Sequence, residues 1–264
     1  LPSVTKIYDT VIYPNNLAFL ANGSSVVPSG LFNANASGRV DPVGNFTGFD
    51  DSTEYFFGLS PVPSLPSYTA FTSAPIVSFT SGCASVAASV VYLNTTVVNP
   101  NATNNGDFVT VLKEVAFWHF DDDGAVLYYD AWIPNLAEWT SVSQGGLDFT
   151  NSIIQEAVIA AELCPAIQDR CVGDNQQYAN TLDCIAQLSL KKFGSFDEVW
   201  GDDITCRTIH VILTQIRPDV HCPHVGPTGG GKCVDVNYTA VYAEDDVALF
   251  GGPEGSVFNC PTDS

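Results

Sequence analysis

The sequence predicts an α+β protein in which antiparallel strands of the first half pack against a disulfide-rich helical and loop region. Two aromatic, β-branched runs flank an Asp-Asp-Asp-Gly turn within residues 106–136, a pattern typical of a β-hairpin. From about residue 150 the sequence changes to helical periodicity. Seven of the eight cysteines also lie in this second half. We therefore divide the chain into a sheet region, 1–140, and a Cys-rich extension, 141–264, packed as one unit.

Turn signals interrupt the first 80 residues, so we expect loops there rather than a long helix. Sequences such as YPNN, VPSG and SPVPSLPS supply Pro, Gly and Asn at short intervals. Only short helical turns are expected, around NNLAFLA and DDSTEYFFGL. The run ASVAASVVYLNTTVV at 84–98 is rich in β-branched residues and predicts a strand.

Three helices are predicted in the extension from periodicity and capping signals. The second has an N-cap near Asn180 and stops at Gly194, and the third ends before Pro218. SFDE at 195–198 has the spacing of a capping box. After Pro218 we expect a loop held by disulfides. The predicted helices cover residues 150–164, 180–194 and 202–217.

Three features predict a secreted, disulfide-bonded glycoprotein. The chain lacks methionine and begins at Leu1, which indicates a processed product from which a signal peptide was cleaved. An even number of cysteines is typical of an oxidising compartment, and Cys83 must then join the sheet half to the helical half. The cysteines expected to pair are Cys83, Cys164, Cys171, Cys184, Cys206, Cys222, Cys233 and Cys260. Sequons for N-linked glycans occur at Asn22, Asn35, Asn45, Asn94, Asn101 and Asn237.

The charge of the chain excludes two classes of partner. Nine basic residues face 29 acidic ones, which gives a formal net charge of −20 and a pI near 4.1. Such a polyanion repels phosphate backbones and anionic lipid headgroups, so we expect neither nucleic acid nor membrane surfaces as partners. No run of about 18 apolar residues is present, which excludes a transmembrane helix in this sequence. A cationic partner and self-association remain as alternatives.

The hairpin EVAFWHFDDDGAVLYYDAWIP resembles the central hairpin of SnoaL-like members of the NTF2-like superfamily. The upstream SGRVDPVGNFTGFDDSTEYFFGL resembles the segment in which a Gly-rich strand of these proteins leads to a short helix. The likeness covers about residues 5–140 and implies a curved antiparallel sheet wrapped as a cone around a pocket. The family opens with long helices, whereas we expect loops here. The Cys-rich half resembles an extension found in secreted fungal proteins.

The hairpin supplies one set of candidate catalytic residues. If its turn is two residues long, His119 faces Tyr128, and Asp130 lies on the same surface. A histidine beside a carboxylate and among aromatic rings is suited to general acid–base catalysis, because burial and charge tune the imidazole pKa. A three-residue turn shifts the register by one and separates the group. The alternative is that these are ordinary surface or structural polar residues.

The second candidate is a histidine cluster. His210, His221 and His224 are three of the four histidines and lie within fifteen residues. Three imidazoles suit Zn or Cu. Disulfides are expected to consume the neighbouring cysteines, which removes thiolate ligands. We favour histidines that hydrogen-bond the loop backbone and keep the metal site as the alternative.

Two other motifs carry no function. The run GPTGGGKC at 226–233 lacks the Walker spacing, because a cysteine follows its lysine, and we expect a tight turn beside a disulfide. No G-x-S-x-G nucleophile motif is present. Paired acids such as FDDDG and WGDD are typical of turns and caps.

Three functions therefore stand as hypotheses. The first is acid–base catalysis on a small apolar molecule in an aromatic-lined pocket. The second is non-catalytic binding of such a molecule in the same pocket. The third is a structural or assembly role at the cell surface. A polar base to the pocket favours the first, a wholly apolar pocket the second, and a filled cone the third.

Overall fold

A seven-stranded sheet forms the centre of the computed structural model, which describes residues 2–237, 246–252 and 255–261. The strand order is β2-β1-β7-β6-β5-β3, and β4 pairs with β5 beyond the end of β3. Register shifts interrupt most ladders, and such bulges bend a sheet. The strands are β1 (Phe32–Asp41), β2 (Gly44–Thr47), β3 (Thr69–Ser73), β4 (Ile76–Thr80), β5 (Val86–Val97), β6 (Phe108–Phe120) and β7 (Val126–Trp132).

The helices lie around this sheet, mostly in the second half of the chain. They are α1 (Pro2–Val11), α2 (Leu17–Asn22), α3 (Phe49–Thr53), α4 (Leu136–Ser143), α5 (Ser152–Ala157), α6 (Cys164–Arg170), α7 (Thr181–Leu188), α8 (Ile204–Leu213), α9 (Pro218–Val225) and α10 (Asp246–Phe250). Single π-helical turns extend α3 and join α5 to α6, at Glu54–Gly58 and Val158–Leu163. Short 3₁₀ turns occur at Gly23–Val26, Gly173–Asn175 and Gly229–Gly231.

The α+β prediction is confirmed, and the sheet is curved as the resemblance implied. One strand pair differs from the antiparallel prediction, because β1 and β7 run parallel. The pairing joins strands about 90 residues apart, with β1 adding to the outer edge of the β6–β7 hairpin. Such non-local pairing leaves no local pattern in the sequence.

The expectation that the chain opens with loops is wrong, because residues 2–11 form a helix. Val4, Ile7, Tyr8 and Val11 are all buried. Their spacing of i, i+3, i+4 and i+7 is that of one helical face, which packs on the core. Tertiary burial stabilises this ten-residue helix, which is too short to be stable alone.

The β6–β7 hairpin has the predicted register with a longer turn. His119 faces Tyr128, as expected for a two-residue turn. The actual connection spans residues 121–125, and a bulge between His119 and Phe120 absorbs the extra residues. The Asp121 carboxylate orders this turn by accepting the backbone N–H groups of Asp123 and Ala125, at 3.1 and 2.9 Å.

Gly38 is a point where the sheet tolerates no side chain. A Cβ atom built on Gly38 meets ring carbons of Tyr129 at 2.3 Å, and Tyr129 is fully buried across the parallel strand pair. We expect Gly38→Ala to lower the free energy of unfolding by about 2–3 kcal/mol, measured by urea denaturation. The same change in a Tyr129→Ala background should cost much less. An equal cost in both backgrounds would contradict the steric cause.

The extension contains the predicted helices, but the second ends at Leu188 rather than Gly194, and Asp203 caps the third while SFDE at 195–198 starts no helix. Asn180 caps α7 by accepting the N–H of Asp183 at 3.0 Å, as expected. The predicted loop after the third helix is wrong, because Pro218 occupies the first turn of α9. Proline is favoured there, since its fixed φ suits a helix and its missing N–H has no helical partner. Of the described helices, none has the length and apolarity to cross a membrane.

All eight cysteines pair, as predicted. Cys83 joins the sheet to the C-terminal end of the extension, and the other three bridges lie within the helical region. The pairs are Cys83–Cys260, Cys164–Cys184, Cys171–Cys222 and Cys206–Cys233.

A C-terminal strap, defined as residues 246–252 and 255–261, covers the outer face of the sheet. Ser37 on β1 donates a hydrogen bond to the carbonyl of Leu249 at 2.9 Å. Phe250 packs edge-on against Tyr128, with 5.9 Å between ring centres. The Cys83–Cys260 disulfide fixes the far end of the strap. The outer face is therefore shielded from solvent at its centre.

Candidate functional site

A cavity of about 530 Å³ lies between the inner face of the sheet and helices from both halves of the chain. Leu93 and Leu112 contribute from the sheet, and Ile209 and Ile212 from α8. The Cys-rich extension thus forms part of the cavity wall. The aromatic residues that line it are Tyr8, Tyr55, Phe56, Phe71, Trp139, Phe149 and Phe196.

Both π-helical turns contribute to this wall. The first supplies Tyr55, Phe56 and Gly58, and the second supplies Val158 and Glu162. A π-turn widens a helix by one residue and re-aims the side chains around it, and such turns occur frequently at functional sites. The cavity wall therefore carries local geometry that ordinary α-helix does not provide.

Glu114 on β6 is a buried carboxyl group in the cavity wall. The Tyr8 hydroxyl donates to its Oε1 at 2.5 Å, and the Tyr55 hydroxyl donates to its Oε2 at 2.9 Å. Glu114 is only 3% exposed. Three separate elements, α1, the first π-turn and β6, bring these groups together. The result is a buried carboxyl group with two phenol donors on a largely apolar wall that also carries the charged residues Glu162 and Arg170.

Burial sets the titration of this group. Desolvation raises the pKa of Glu114 above its ordinary value, and the hydrogen bonds from Tyr8 and Tyr55 oppose this only in part. Burial, and then the charge of Glu114, raise the pKa values of both phenols. The phenols therefore keep their protons while Glu114 titrates. The pKa of Glu114 is higher in the folded than in the unfolded protein. The contribution of Glu114 to the free energy of unfolding is therefore complete at pH values below its unfolded pKa, and it is lost as the pH rises through its folded pKa.

The predicted catalytic residues His119, Tyr128 and Asp130 lie on the opposite, outer face of the sheet. They do not line this cavity, because the side chains of β6 that point inwards are those at the alternate positions. The ring of His119 lies near that of Tyr128, with 5.7 Å between centres, as the register predicts. Its Nδ1 atom contacts the Val257 carbonyl of the strap at 2.5 Å.

Asp130 forms a buried ion pair rather than a pair with a histidine. Arg39 donates from Nε to Oδ1 at 3.1 Å and from Nη2 to Oδ2 at 2.7 Å. Both residues are 8% exposed, and the Phe250 ring of the strap lies 6.0 Å from the guanidinium carbon. This bidentate geometry fixes the carboxylate under the strap.

Sequence reasoning missed Glu114, although the strand pattern contains a signal. Leu112, Ala116, Trp118 and Phe120 occupy the inward positions of β6, and Glu114 interrupts this apolar series. A charged residue at an inward position of a strand is an informative exception, because buried charges require partners. The tyrosine partners come from elements far away in the chain.

The second candidate site is the histidine cluster between α8 and α9. The Nδ1 atom of His210 lies 3.3 Å from Nδ1 of His221 and 3.2 Å from Nδ1 of His224. The favoured expectation, that these histidines bond the loop backbone, is wrong, because the predicted loop is a helix that directs both side chains towards α8. Burial lowers the pKa of His210 well below its ordinary value and that of His224 to about 4.

The Glu54 carboxylate contacts the ring nitrogen of His221 that does not face His210. The Nε2 atom of His221 lies 3.0 Å from Oε2 of Glu54, and Arg217 forms an ion pair with the same carboxylate. Arg217 also contacts Asp51 at 2.6 Å. Cys206 and Cys233 lie beside His210 but form a disulfide, so they offer no thiolate.

The arrangement defines a class of protein. Helices lie across one face of a curved sheet and enclose a cavity, so the chain has an α+β fold with a disulfide-bonded C-terminal extension. Its sequence matches the BfoA N-terminal domain over residues 5–131 and the BfoA family C-terminal domain over residues 129–236. The chain belongs to the BfoA family.

Two curated relatives come from Aspergillus species. The chain is 32% identical over 240 residues to Aurasperone B biosynthesis cluster protein A of Aspergillus niger, covering 88% of this chain and 75% of the relative. It is 31% identical over 243 residues to Bifonsecin B biosynthesis cluster protein A of Aspergillus brasiliensis, covering 88% of this chain and 77% of the relative.

Similar solved structures match about half of the chain at low identity. One is a putative SnoaL-like polyketide cyclase from Jannaschia sp. CCS1, with a TM-score of 0.35 and 12% identity, covering 54% of this chain and 90% of that one. Another is ActVI-ORFA from Streptomyces coelicolor, with a TM-score of 0.33 and 9% identity, covering 50% of this chain and 96% of that one.

Proposed function

We propose that the chain binds a small, apolar, aromatic molecule in the cavity and that Glu114 transfers a proton on it. The observation that carries this proposal is a buried carboxyl group with a raised pKa on an aromatic wall. Burial of this kind tunes a carboxyl group for general acid–base catalysis. The cavity volume lies within the range of small-molecule sites. The relatives' names, which refer to biosynthesis clusters, support a role on small molecules.

The step has a simple proton balance. The Glu114 carboxylate removes a proton from a C–H group next to a carbonyl, which leaves an enolate, and the resulting carboxylic acid returns a proton to carbon or oxygen. The hydrogen bonds from Tyr8 and Tyr55 hold both carboxylate oxygens in place. Burial of Glu114, which is 3% exposed, keeps the pKa of the acid high.

One observation favours binding without catalysis as the second candidate. Both oxygens of Glu114 already accept a hydrogen bond, so the carboxylate can serve as a structural anchor for α1 and the first π-turn. An open cavity does not support the third hypothesis, an assembly protein with a filled cone.

The test separates the two candidates with a bicyclic ketone. 2-Tetralone is apolar and carries acidic C–H groups beside its carbonyl. We expect the protein to bind it and to accelerate exchange of these hydrogens for deuterium, followed by proton NMR in D₂O. Binding without faster deuterium exchange would contradict catalysis and would support the second candidate, a non-catalytic binding protein. Absence of binding to 2-tetralone, aurasperone B and bifonsecin B would contradict both.

Blocking the cavity should remove binding. Ile212 lines the cavity from α8, and we expect Ile212→Trp to weaken binding of 2-tetralone by at least about tenfold, or 1.4 kcal/mol, in isothermal titration calorimetry. Ile153→Trp is the matched control, because Ile153 on α5 is 71% exposed. Equal affinities of the two variants would place the ligand elsewhere.

We also propose that the protein is secreted and carries N-linked glycans. Four disulfides support an oxidising compartment. The sequon residues Asn22, Asn35, Asn101 and Asn237 are exposed, whereas Asn45 and Asn94 are half-buried. Glycosidase treatment that leaves the intact mass of the native secreted protein unchanged would contradict the glycan proposal.

A further inference from the structure

We infer that His210, His221 and His224 form a zinc site with Glu54 as its positioning residue. None of the described residues that line the cavity is a histidine, so this inference is independent of the proposed function. The three side chains come from two helices, α8 and α9, and each offers a nitrogen atom within 4.8 Å of the other two.

Two of the three nitrogen separations match those of a tetrahedral ion, and the three nitrogen atoms all lie within 4.8 Å of one another. Two nitrogen ligands at 2.0–2.1 Å from zinc in tetrahedral geometry lie about 3.3–3.4 Å apart. The observed Nδ1 separations from His210 are 3.3 Å to His221 and 3.2 Å to His224. The His224 ring is steeply inclined to the His210 ring, at 70°, whereas the His221 ring is stacked on it at 27°.

Protons alone do not satisfy this cluster. Each Nδ1 atom carries either one hydrogen or one lone pair, so His210 completes one hydrogen bond and not two. The Glu54 carboxylate accepts the Nε2 hydrogen of His221, which leaves the His221 Nδ1 with a lone pair that points into the cluster. One cation satisfies all three nitrogen atoms at once.

Contacts behind the cluster pre-organise it. A histidine ligand commonly donates its other ring hydrogen to a carboxylate, which fixes the ring and strengthens the ligand. Glu54 has this relation to His221, and Arg217 holds Glu54 in turn. Disulfides fix both helices next to the ligands, at Cys206 on α8 and Cys222 on α9. Three protein ligands leave a fourth position for water or another small ligand.

The experiment uses untagged full-length protein with intact disulfides, dialysed against EDTA and then freed of it. We expect titration with ZnCl₂ in a calorimeter to give one zinc per chain. His210→Ala and His224→Ala should each weaken binding by more than about 100-fold. His119→Ala is the matched control, because it removes the one histidine outside the cluster, and it should bind zinc like the wild type.

Cobalt(II) provides a readout of geometry for Glu54. The wild type should give the intense visible bands of tetrahedral cobalt. Glu54→Gln should keep these bands while weakening zinc binding by about 10- to 100-fold, because the three ligands remain and only their orientation suffers. Circular dichroism of each metal-free variant identifies loss of folding.

Three results would overturn the inference. The first is a wild-type protein that binds no stoichiometric zinc, including one that binds only Cu²⁺. The second is a folded His224→Ala variant with unchanged zinc affinity. The third is equal loss of zinc binding in His119→Ala and His210→Ala.

Discussion

Glu114→Gln is expected to slow deuterium exchange of bound 2-tetralone by about 100-fold or more, the usual contribution of a general acid–base group. Glutamine has nearly the same shape and its amide oxygen still accepts one of the two phenol hydrogen bonds, but it does not exchange protons with carbon. Binding of the ketone should change little, because the rest of the cavity wall is kept. The measurement is the exchange rate by NMR at a saturating ketone concentration.

Glu138→Gln is the matched control for this prediction. Glu138 lies on α4, is exposed, and is not among the residues that line the cavity. Its replacement makes the same chemical change and alters the net charge equally. A Glu114→Gln variant that exchanges as fast as Glu138→Gln would leave Glu114 as a structural anchor.

The pH dependence gives an independent check of the same group. A base acts when deprotonated, so the exchange rate should rise with pH through the Glu114 pKa, which burial raises above the usual carboxyl value. Tyr8→Phe and Tyr55→Phe each remove a donor that lowers this pKa. The midpoint of the profile should therefore move to higher pH in both variants. A midpoint that stays fixed would assign the titration to another group.

The hairpin shows how far strand periodicity leads. The predicted register, with His119 facing Tyr128, follows from the alternation of side chains and is present in the structure. The alternation of side chains along the two strands does not determine which face of the sheet is the inner one, because aromatic residues occur on both faces. The buried inner face contains Trp118 and Tyr129, and the strap covers the outer face. His119, Tyr128 and Asp130 therefore lie outside the cavity, and a catalytic role for them stays a prediction.

The missed features share a different cause, namely contacts between distant parts of the chain. Glu114 receives its partners from α1 and from the first π-turn, more than 50 residues away. Glu54 reaches His221 across 167 residues. Local spacing identified the three histidines as a candidate metal site, but only the helical path after Pro218 shows that they converge.

The first π-turn connects the two candidate sites. Glu54 binds His221 and Arg217 on one side of this turn, while the adjacent Tyr55 donates to Glu114 in the cavity wall. A metal ion on His221 would hold Glu54 in place and thereby restrain Tyr55. Zinc removal should therefore alter the pH profile of exchange if both proposals hold, and it should not if the sites act separately.

Asp130→Ala is expected to lower the free energy of unfolding by about 3–5 kcal/mol, the usual cost of removing one partner of a buried ion pair. The guanidinium of Arg39 would keep its burial under the strap but lose the carboxylate that accepts two of its hydrogen bonds. Urea denaturation followed by tryptophan fluorescence measures this change. Asp169→Ala, at an exposed position of α6, is the matched control and should change stability by no more than about 0.5 kcal/mol.

A double variant separates two contributions to the stability lost in Asp130→Ala, namely the burial of the Arg39 charge and the loss of the ion pair. Arg39→Met with Asp130→Leu removes both charges and fills the space with apolar side chains, so it should recover most of the stability lost in Asp130→Ala. Recovery would show that the loss comes from burying the Arg39 guanidinium without the Asp130 carboxylate rather than from the absence of a favourable pair. If Asp130→Ala instead unfolds like Asp169→Ala, the strap does not exclude water from Arg39. Solvent that reaches Arg39 would then also reach His119 under the same strap.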